Sequence, residues 1–461
     1  MRYRQIEWID PIEAATRLSG WPGLSLLDSA MPHPTLGRFS YLAADPFGVF
    51  TIREGSAFWN GVAEPGAPLA ALRHRLASYR IEQIADLPPF QGGAIGVFAY
   101  ELGWSLEGRS PPQPAPGDEV HLAFHDVVLA FDHAARACWL IASGLPAHTR
   151  DERHRRAEAR LEAFAARLAR PPRGSPGPIG IAWRRAVTRG VYREGIDKVQ
   201  AMIRAGDIYQ ANIAQRFVAD LPDGTDPWQL YHVLRAANPA PFAAYLDCGE
   251  RQVLSSSPEL FLRTSGRNVE TRPIKGTARR LEDDAADATA RAALLASRKD
   301  RAENVMIVDL LRNDLAKVCV PASVEVPVLC GLESYAGLHH LVSAVTGTLR
   351  EDADAVDLLA ATFPGGSITG APKLRAMEII AEIEGRARGV YCGAIGAIGF
   401  DGDMMLNIAI RTLVVARGEI ELRAGGGITI LSDPDQEYEE TLTKARRILD
   451  AFARRPAEVD A

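Results

Sequence analysis

A lysine between a proline and a glycine is the first residue whose context suggests chemistry. Lys275 lies in RPIKGT, residues 272–277, and Glu259 precedes it in SSSPELFLR. A lysine amine becomes nucleophilic where burial or neighbouring cations lower its pKa, and a glutamate can protonate a leaving group. The alternative is an exposed lysine in a strand-to-turn segment, which is the ordinary location of this residue type.

Carboxylates in DRAENVMIVDLLRND could hold a metal ion. Helical spacing places Glu303, Ile307, Leu310 and Asp314 on one stripe. A carboxylate buried among core residues needs a cation or hydrogen bonds, which favours a metal ligand. The alternative is an ion pair at a helix end. Polar groups that could support a metal ligand here are Asp309, Arg312, Asn313 and Asp314.

A second helix could supply the other half of such a site. Asp433 and Pro434 form a helix start, with a capping side chain followed by proline at the first helical position. The helical period then puts Glu437, Glu440 and Lys444 on one flank. Oxygen ligands from two helices suit Mg²⁺. The alternative is a solvated Glu440–Lys444 pair at i,i+4 spacing.

Other segments could bind an anion. Gly425, Gly426 and Gly427 follow the strand EIELR and allow close approach of backbone N–H groups. PGGSITGAPKLRAME is a glycine-rich turn that opens a helix, with Pro372 expected in its first turn.

Two predicted strands carry basic or titratable residues. Arg411 interrupts the apolar strand NIAIRTLVV, where it would contact either a carboxylate ligand or a buried ion-pair partner. Strand alternation sends His339 and His340 to opposite faces, so at most one of them lines a given site.

The order of the predicted elements indicates a sheet-rich first half and a mixed second half. Segments such as SLLDSA, GRFSYLAADPFGVFTIR and GGAIGVFAYELG are typical of strands. Residues 151–170 have helical periodicity, and PPRGSPGPIG at residues 171–180 predicts a linker. Later helices are expected at 188–204 and 281–295 and in the two carboxylate-bearing segments.

Composition excludes several classes of protein. The 461-residue chain has a formal net charge of −6, which offers no basic surplus for nucleic acid. The N-terminus carries charges among its apolar residues, whereas a signal peptide or a membrane span would have an uninterrupted apolar segment. Five cysteines without CxxC spacing argue against a zinc site or a disulfide framework. We expect a cytoplasmic protein with no nucleic-acid or membrane partner. The cysteines are Cys138, Cys248, Cys319, Cys330 and Cys392.

Taken together, these stretches resemble the chorismate-utilising enzymes. The motifs that carry the resemblance, in order, are SSSPELFLR, RPIKGTARR, DRAENVMIVDLLRND, HHLVS, PGGSITGAPKLRAME, NIAIRTLVV and AGGGITILSDPDQEYEETLTKA. The match runs from Val187 to Phe452, and the first half resembles the amino-terminal region of anthranilate synthase and aminodeoxychorismate synthase large components. The expected fold is α/β (α+β), a large two-layer antiparallel β-sandwich surrounded by helices.

The resemblance implies boundaries within the chain. We expect an N-terminal anthranilate synthase component I-like region at 1–170, a linker at 171–187, a chorismate-binding catalytic region at 188–455 and a tail at 456–461. The linker would cross the surface between two halves that share one core.

The resemblance also implies a role for each site residue. Glu259 would be the general acid and Lys275 the nucleophile of a covalent intermediate. Glu303, Glu440 and Glu437 would form the Mg²⁺ site. The residues expected to bind the substrate chorismate are Gln210, Gly276, Thr277, His340, Ser367, Tyr391, Arg411, Gly425, Gly427 and Lys444.

Two positions favour one branch of the family. Anthranilate synthases typically have alanine where this chain has Lys275, whereas lysine resembles the branch that aminates chorismate at carbon 4 on the route to 4-aminobenzoate and folate. Isochorismate and salicylate synthases carry a water-activating lysine where this chain has Gln210. The resemblance therefore implies amination by ammonia. In the absence of a glutaminase segment, it also implies a separate glutamine amidotransferase subunit.

Two alternatives stay open, namely anthranilate formation and a non-catalytic protein that binds chorismate or tryptophan. Tryptophan-sensitive relatives commonly read LLES where this chain has Leu26, Leu27, Asp28 and Ser29. The sequence leaves open whether the first half binds tryptophan.

Overall fold

The computed structural model describes residues 1–31, 36–171, 179–335 and 338–453. Most of the predicted linker segment 171–180 and the predicted tail at 456–461 lie outside these ranges. Within them, no helix has the length and apolar character needed to cross a membrane.

The elements of the first half alternate strands with a few helices. The strands are β1 (Arg2–Ile6), β2 (Ser25–Asp28), β3 (Phe39–Ala43), β4 (Gly48–Arg53), β5 (Ser56–Trp59), β6 (Val62–Ala63), β7 (Gly93–Phe98), β8 (Val120–His125), β9 (Val127–Asp132) and β10 (Ala137–Ala142). The helices are α1 (Pro11–Leu18), α2 (Pro68–Ser78), α3 (Leu102–Leu106) and α4 (Arg150–Leu168).

The second half carries the longer helices and the motifs. Its strands are β11 (Arg184–Arg185), β12 (Gln210–Asp220), β13 (Phe242–Asp247), β14 (Arg251–Ser257), β15 (Leu260–Ser265), β16 (Asn268–Arg272), β17 (Ile274–Arg279), β18 (Glu325–Tyr335), β19 (Leu338–Thr348), β20 (Gly370–Ala371), β21 (Ala394–Gly399), β22 (Met404–Ile408), β23 (Thr412–Ala416) and β24 (Glu419–Ile428). Its helices are α5 (Arg189–Ala205), α6 (Pro227–Ala237), α7 (Asp284–Ala296), α8 (Arg298–Ala316), α9 (Ala355–Thr362), α10 (Lys373–Glu384) and α11 (Pro434–Ala451), with a 3₁₀ turn at Gly366–Ile368.

In the described ranges the strands form two twelve-stranded antiparallel sheets. Sheet A has the order β1-β10-β9-β3-β2-β13-β14-β23-β24-β12-β11, with β20 also paired to β12. Sheet B has the order β17-β19-β16-β15-β22-β21-β7-β8-β4-β5-β6, with β18 also paired to β19. Both sheets draw strands from both halves of the chain, since β2 pairs with β13 and β7 pairs with β21.

The cores show how the layers are stacked. One apolar cluster joins residues from both sheets, among them Val128 of sheet A and Val97 and Ile395 of sheet B. A second cluster covers the outer face of sheet A with side chains of α1, α4, α6 and α11. A third covers sheet B with α8, α9 and α10. This arrangement confirms the predicted sandwich of two antiparallel sheets between helices.

Local sequence explains where the two carboxylate-bearing helices begin. Ser297 caps α8 by accepting a hydrogen bond from the Asp300 amide. Asp433 caps α11 by accepting from the amides of Asp435 and Gln436, and Pro434 occupies its first turn as predicted. The caps fix the residue at which each helix begins.

Three predictions are wrong in detail. Asp314 does not support Glu303 as a metal ligand, because the two lie about 16 Å apart along α8 and Asp314 pairs with Lys317 and Lys373 at 2.9 and 2.8 Å near the end of that helix. The segment NIAIRTLVV is two strands, and Arg411 lies between them with φ of 51°. Pro372 is the N-cap of α10 and precedes the first turn, because its ψ of 141° is extended and not helical.

Candidate active site

The chain passes from one sheet to the other at two points that lie side by side. Glu259 lies between β14 of sheet A and β15 of sheet B, and Arg411 lies between β22 of sheet B and β23 of sheet A. The two crossings are joined by backbone hydrogen bonds from Ile408 N to Glu259 O at 3.0 Å and from Ser256 N to Arg411 O at 3.1 Å. These hydrogen bonds bring the predicted acid and the predicted carboxylate-binding arginine together.

A bulge in β17 presents the predicted nucleophile. The pairing of β17 with β19 shifts register between Lys275 and Thr277. Gly276, between them, has φ of +75°, and a Cβ there would lie 2.9 Å from Asp300 Cβ of α8. A β-bulge turns side chains out of the regular alternation, and glycine is suited both to this dihedral and to the close helix.

One serine links Lys275 to Glu259. The Lys275 ammonium donates to the backbone oxygen of Ser367 at 2.7 Å, and the Ser367 hydroxyl donates to Glu259 Oε1 at 2.6 Å. Burial raises the pKa of the Glu259 carboxyl, against the opposing effects of Ser367 and Lys275. Burial also lowers the pKa of Lys275, against the attraction of Glu303 and Glu259. The same desolvation therefore moves the acid and the amine towards their neutral forms.

The two histidines behave as strand alternation predicts. His340 Nδ1 lies 2.9 Å from the Thr277 hydroxyl, beside the bulge, and burial lowers the pKa of His340 to about 3. His339 instead contacts Asp287 of α7 and Ser334 of β18. His340 is therefore the histidine on the Lys275 side.

The glycine triplet lies in β24 and leaves room for polar groups on both faces. A Cβ on Gly427 would lie 2.3 Å from Gln210 Nε2 and 3.6 Å from Lys275 Nζ. A Cβ on Gly426 would lie 3.1 Å from Glu437 Oε2 and 3.7 Å from Glu440 Oε1. The Gln210 side chain is buried, and neither of its polar atoms has a hydrogen-bond partner in the described part of the chain. A ligand at this point would satisfy them.

The predicted metal ligands lie among lysines. Lys299 Nζ is 2.9 Å from Glu437 Oε1, and Lys444 Nζ is 2.7 Å from Glu440 Oε1 and 2.8 Å from the backbone oxygen of Gly425. Burial raises the pKa of the Glu303 carboxyl, with Lys275 and Lys299 acting in the opposite direction. Burial acts to raise the pKa of Glu440 as well, but the charge of Lys444 outweighs it and the pKa is lowered.

These carboxylates fit a magnesium ion in donor type. Across the described ranges, no cluster of three or more His, Cys, Asp or Glu side chains is already arranged to hold a metal ion. Glu303 Oε1 is nevertheless buried and has no hydrogen-bond partner among the described residues, and such an atom is costly unless a ligand pairs with it. An all-oxygen donor set from α8 and α11 is the chemistry that Mg²⁺ prefers.

Arg388, which was not predicted from the sequence, supports the backbone around the site. The buried Arg388 guanidinium donates to the backbone oxygens of Ile368 at 3.1 Å and Asn212 at 2.6 Å. It also lies 5.6 Å from the ring centroid of Tyr391, which is buried as well. Arg388 therefore holds the 3₁₀ turn of Ser367 against β12 and contacts the predicted substrate-binding tyrosine.

Lys299 was not predicted as a site residue either, although its spacing from Glu303 indicates that the two side chains are close. It precedes Glu303 by four residues in α8, so helical geometry places both side chains on one face. The predicted site residues are thus gathered around the bulge of β17, the glycines of β24 and the facing helices α8 and α11. Arg411 belongs to the same region, where burial lowers its pKa to about 10 with a further contribution from Arg447.

A separate small cavity lies between the sheets and is lined in part by Leu27, Asp28 and Ser29. Asp28 accepts hydrogen bonds from Arg235 Nε at 2.6 Å and from the Tyr231 hydroxyl at 3.0 Å. Its charge is therefore compensated within the chain.

Comparisons with known proteins identify the family of this chain. The family model described as chorismate binding enzyme matches residues 30–450. Aminodeoxychorismate synthase component 1 of Klebsiella aerogenes and that of Escherichia coli K12 are each 40% identical to this chain, with 94% of both sequences covered in each case. Anthranilate synthase component 1 of Streptomyces coelicolor is 38% identical, covering 97% of this chain and 88% of the relative.

Solved structures show the same fold. Anthranilate synthase component I from Streptococcus pneumoniae TIGR4 superposes with a TM-score of 0.79 at 30% identity, covering 97% of this chain and 100% of that one. MenF, the menaquinone-specific isochorismate synthase of Escherichia coli, has a TM-score of 0.73 at 17% identity, which shows only that the fold is shared. With a family match along residues 30–450 and relatives at 40% identity over nearly the whole length, this chain belongs to the chorismate binding enzymes.

Proposed function

We propose that this chain is the large component of an aminodeoxychorismate synthase, which converts chorismate and ammonia to 4-amino-4-deoxychorismate for 4-aminobenzoate and folate synthesis. The observation that carries the proposal is the short link between amine and acid. Lys275 Nζ contacts Ser367 O at 2.7 Å, and Ser367 Oγ contacts Glu259 at 2.6 Å. Relatives named aminodeoxychorismate synthase component 1, at 40% identity, support the same assignment.

In the first step Lys275 acts as a nucleophile. Its neutral amine attacks ring carbon 2 of chorismate, both conjugated ring double bonds shift by one position, and the bond from carbon 4 to its hydroxyl oxygen breaks. Glu259 gives its proton to that oxygen, so water leaves. The lowered pKa of Lys275 and the raised pKa of Glu259 favour the protonation states that this step needs.

In the second step ammonia displaces the lysine. Ammonia attacks carbon 4, both ring double bonds shift back, and the bond between carbon 2 and Lys275 breaks. The amine leaves neutral, and the proton lost by the new ammonium group passes to the Glu259 carboxylate, which restores the acid for the next turnover. Gln210 lies beside Lys275 over Gly427 and offers a neutral carboxamide in place of a base that could activate water.

Substrate binding follows the charges of the site. Chorismate carries two carboxylates, and Arg411, Tyr391 and Lys444 provide donors, together with the backbone of Gly425 and Gly427. Ser367, Gly276, Thr277 and His340 complete the wall on the Lys275 side. Glu303, Glu437 and Glu440 would hold Mg²⁺, which supplies positive charge to neutralise the ring carboxylate.

The ammonia would come from a second protein. Relatives at 40% identity carry the name component 1, which supports a second component, and we propose that it is a glutamine amidotransferase. The five cysteines are all unpaired and buried, as is usual in a reducing compartment. On this ground we assign the enzyme to the cytoplasm.

Product analysis tests the proposal. Purified protein is incubated with chorismate, Mg²⁺ and ammonium, and the products are separated by chromatography. We expect 4-amino-4-deoxychorismate as the main product. Fluorescent anthranilate as the main product would assign the protein to the other amination reaction. Absence of turnover, both with ammonium and with a glutamine amidotransferase partner, would support a binding protein.

Replacement of the nucleophile provides a sharper test. We expect Lys275→Ala to lose the covalent route and to reduce aminodeoxychorismate formation by about 10³-fold or more, because ammonia must then react without an enzyme-bound intermediate. Mass spectrometry of wild-type protein quenched with chorismate but without ammonium would detect a mass adduct that the variant lacks. An unchanged rate in Lys275→Ala would exclude the lysine as nucleophile.

A further inference from the structure

Lys299 forms an ion pair inside the predicted metal site. Its ammonium lies 2.9 Å from Glu437 Oε1, and the Ser432 hydroxyl donates to the same oxygen at 2.6 Å. The Glu437 side chain is 3% exposed, whereas that of Lys299 is 40% exposed. The carboxylate is thus buried and held in place by Ser432, while the lysine reaches it from the solvent side.

The two carboxylates of α11 at the site already have ammonium partners without a metal ion. Lys299 contacts Glu437 at 2.9 Å, and Lys444 contacts Glu440 at 2.7 Å. A divalent cation added alone would bring two further positive charges close to these ammonium groups. A divalent cation that arrives with a dianionic substrate would add no net charge.

An ammonium in contact with a carboxylate weakens the attraction of that carboxylate for a second cation. The effect does not require both cations to use one oxygen, because Coulomb repulsion between like charges extends over several ångströms in a partly buried site. Glu437 Oε1 is taken by Lys299 and Ser432, while Oε2 points to the space above Gly426. Lys299 therefore lies where it opposes any cation bound by the other oxygen.

We propose that Lys299 lowers the divalent-metal affinity of the substrate-free site by occupying Glu437, so that the site fills efficiently only when a dianionic substrate accompanies the ion. This inference rests on the proposed metal role of Glu303, Glu437 and Glu440. It assigns Lys299 as a positioning and charge-balancing residue that acts through Glu437.

Direct metal binding, without substrate and without turnover, tests the proposal. Isothermal titration calorimetry with Mg²⁺, and with Mn²⁺ as a second probe, gives the dissociation constant of each variant. We expect Lys299→Met to bind either ion about tenfold more tightly than wild type, since one competing charge is removed. Lys299→Gln, which keeps hydrogen-bonding capacity, should show the same direction, and Lys299→Arg should stay near the wild-type value.

Two controls make the result specific. Lys198→Met removes an exposed lysine of α5 and should leave metal affinity unchanged. In a Glu437→Gln background, Lys299→Met should give a smaller gain than in the wild-type background, because the carboxylate that holds the lysine at the site is gone. A thermal melt of each variant establishes that it is folded.

Equal or weaker metal binding by Lys299→Met and Lys299→Gln would overturn the proposal, as would a complete lack of metal binding by all variants. Neither result depends on the reaction product. If the product assay gives anthranilate while Lys299→Met tightens metal binding, the inference on Lys299 stands and only the proposed reaction is wrong.

Discussion

Two residues with opposite titration behaviour define the proposed chemistry at the smallest scale. Burial raises the pKa of Glu259 and lowers that of Lys275, and the charges on neighbouring groups only partly oppose it. An acid that keeps its proton and an amine that loses one are the states required for protonation of a leaving hydroxyl and attack on a ring carbon. A surface lysine would stay charged at neutral pH and could not act in this way.

The pH dependence of turnover follows from these directions. The rate should rise with pH as Lys275 loses its proton, below the range of an ordinary lysine, and fall at higher pH as Glu259 loses its proton, above the range of an ordinary glutamate. We expect a bell-shaped profile of kcat/KM measured with saturating ammonia, corrected for the ammonium equilibrium.

Glu259→Gln provides the control for the alkaline limb. It removes the proton donor, so turnover should fall by about 10² to 10⁴-fold, and the residual activity should no longer decline at high pH. A wild-type rate that rises continuously to alkaline pH would contradict the assignment of Glu259 as the acid.

At the scale of elements, the site depends on irregularities in otherwise regular strands. Glu259 and Arg411 lie where strands leave one sheet for the other, and Lys275 lies at a bulge next to Gly276. The glycines of β24 allow Gln210 and the carboxylates of α11 to approach the strand from opposite faces. Such irregularities turn side chains out of the regular alternation of a strand and can direct them towards one point.

Gly427→Ala tests this close approach. The added Cβ would lie 2.3 Å from Gln210 Nε2, so the Gln210 side chain must move away from Lys275. We expect turnover to fall by about 10²-fold, the scale of loss that a displacement of about 1 Å causes, while the melting temperature changes little because a side chain can yield.

Gly190→Ala is a matched control, since its Cβ would have no neighbour closer than the Thr188 hydroxyl at 4.0 Å. It should leave turnover and melting temperature near the wild-type values. Full activity of Gly427→Ala would show that close contact between β24 and Gln210 is not needed.

At the scale of the whole molecule, the two halves share both sheets. Strands from residues 1–142 pair with strands from the second half in sheet A and in sheet B, and side chains of both sheets meet in one core. A buried titratable group in either half can therefore make the stability of the complete sandwich depend on pH. His125, in β8, is one such group, and burial lowers its pKa to about 3.

This histidine predicts a loss of stability in mild acid. Its pKa is lower in the folded protein than the value of 6.5 for an exposed histidine, so unfolding takes up a proton once the pH falls below that value. The folded state should lose about 2 kcal/mol at pH 5 relative to neutral pH from His125 alone.

Urea denaturation at pH 7 and pH 5 measures this effect. His125→Gln should be less stable at pH 7 because the site is tightly packed, but its stability should fall less between the two pH values than that of wild type. His74→Gln, at an exposed position, should show the wild-type pH dependence. An equal pH dependence in His125→Gln and wild type would contradict the prediction.

Much of this protein follows from local sequence. Most strand and helix positions, the Asp433–Pro434 start of α11 and the opposite faces of His339 and His340 agree with the structure, because periodicity and capping act over a few residues. The β-sandwich and the family are confirmed through the motifs and their order.

Tertiary structure alone decided which polar residues meet. Glu303 and Asp314 share a stripe of α8, yet one lies among the lysines of the site and the other pairs with Lys317 and Lys373. Spacing along a helix determines which residues share a face, but the partner of that face comes from distant segments. For the same reason the sequence did not reveal Arg388, whose hydrogen-bond acceptors belong to β12 and the 3₁₀ turn. The burial that lowers the pKa of Lys275 likewise depends on the packing of distant segments.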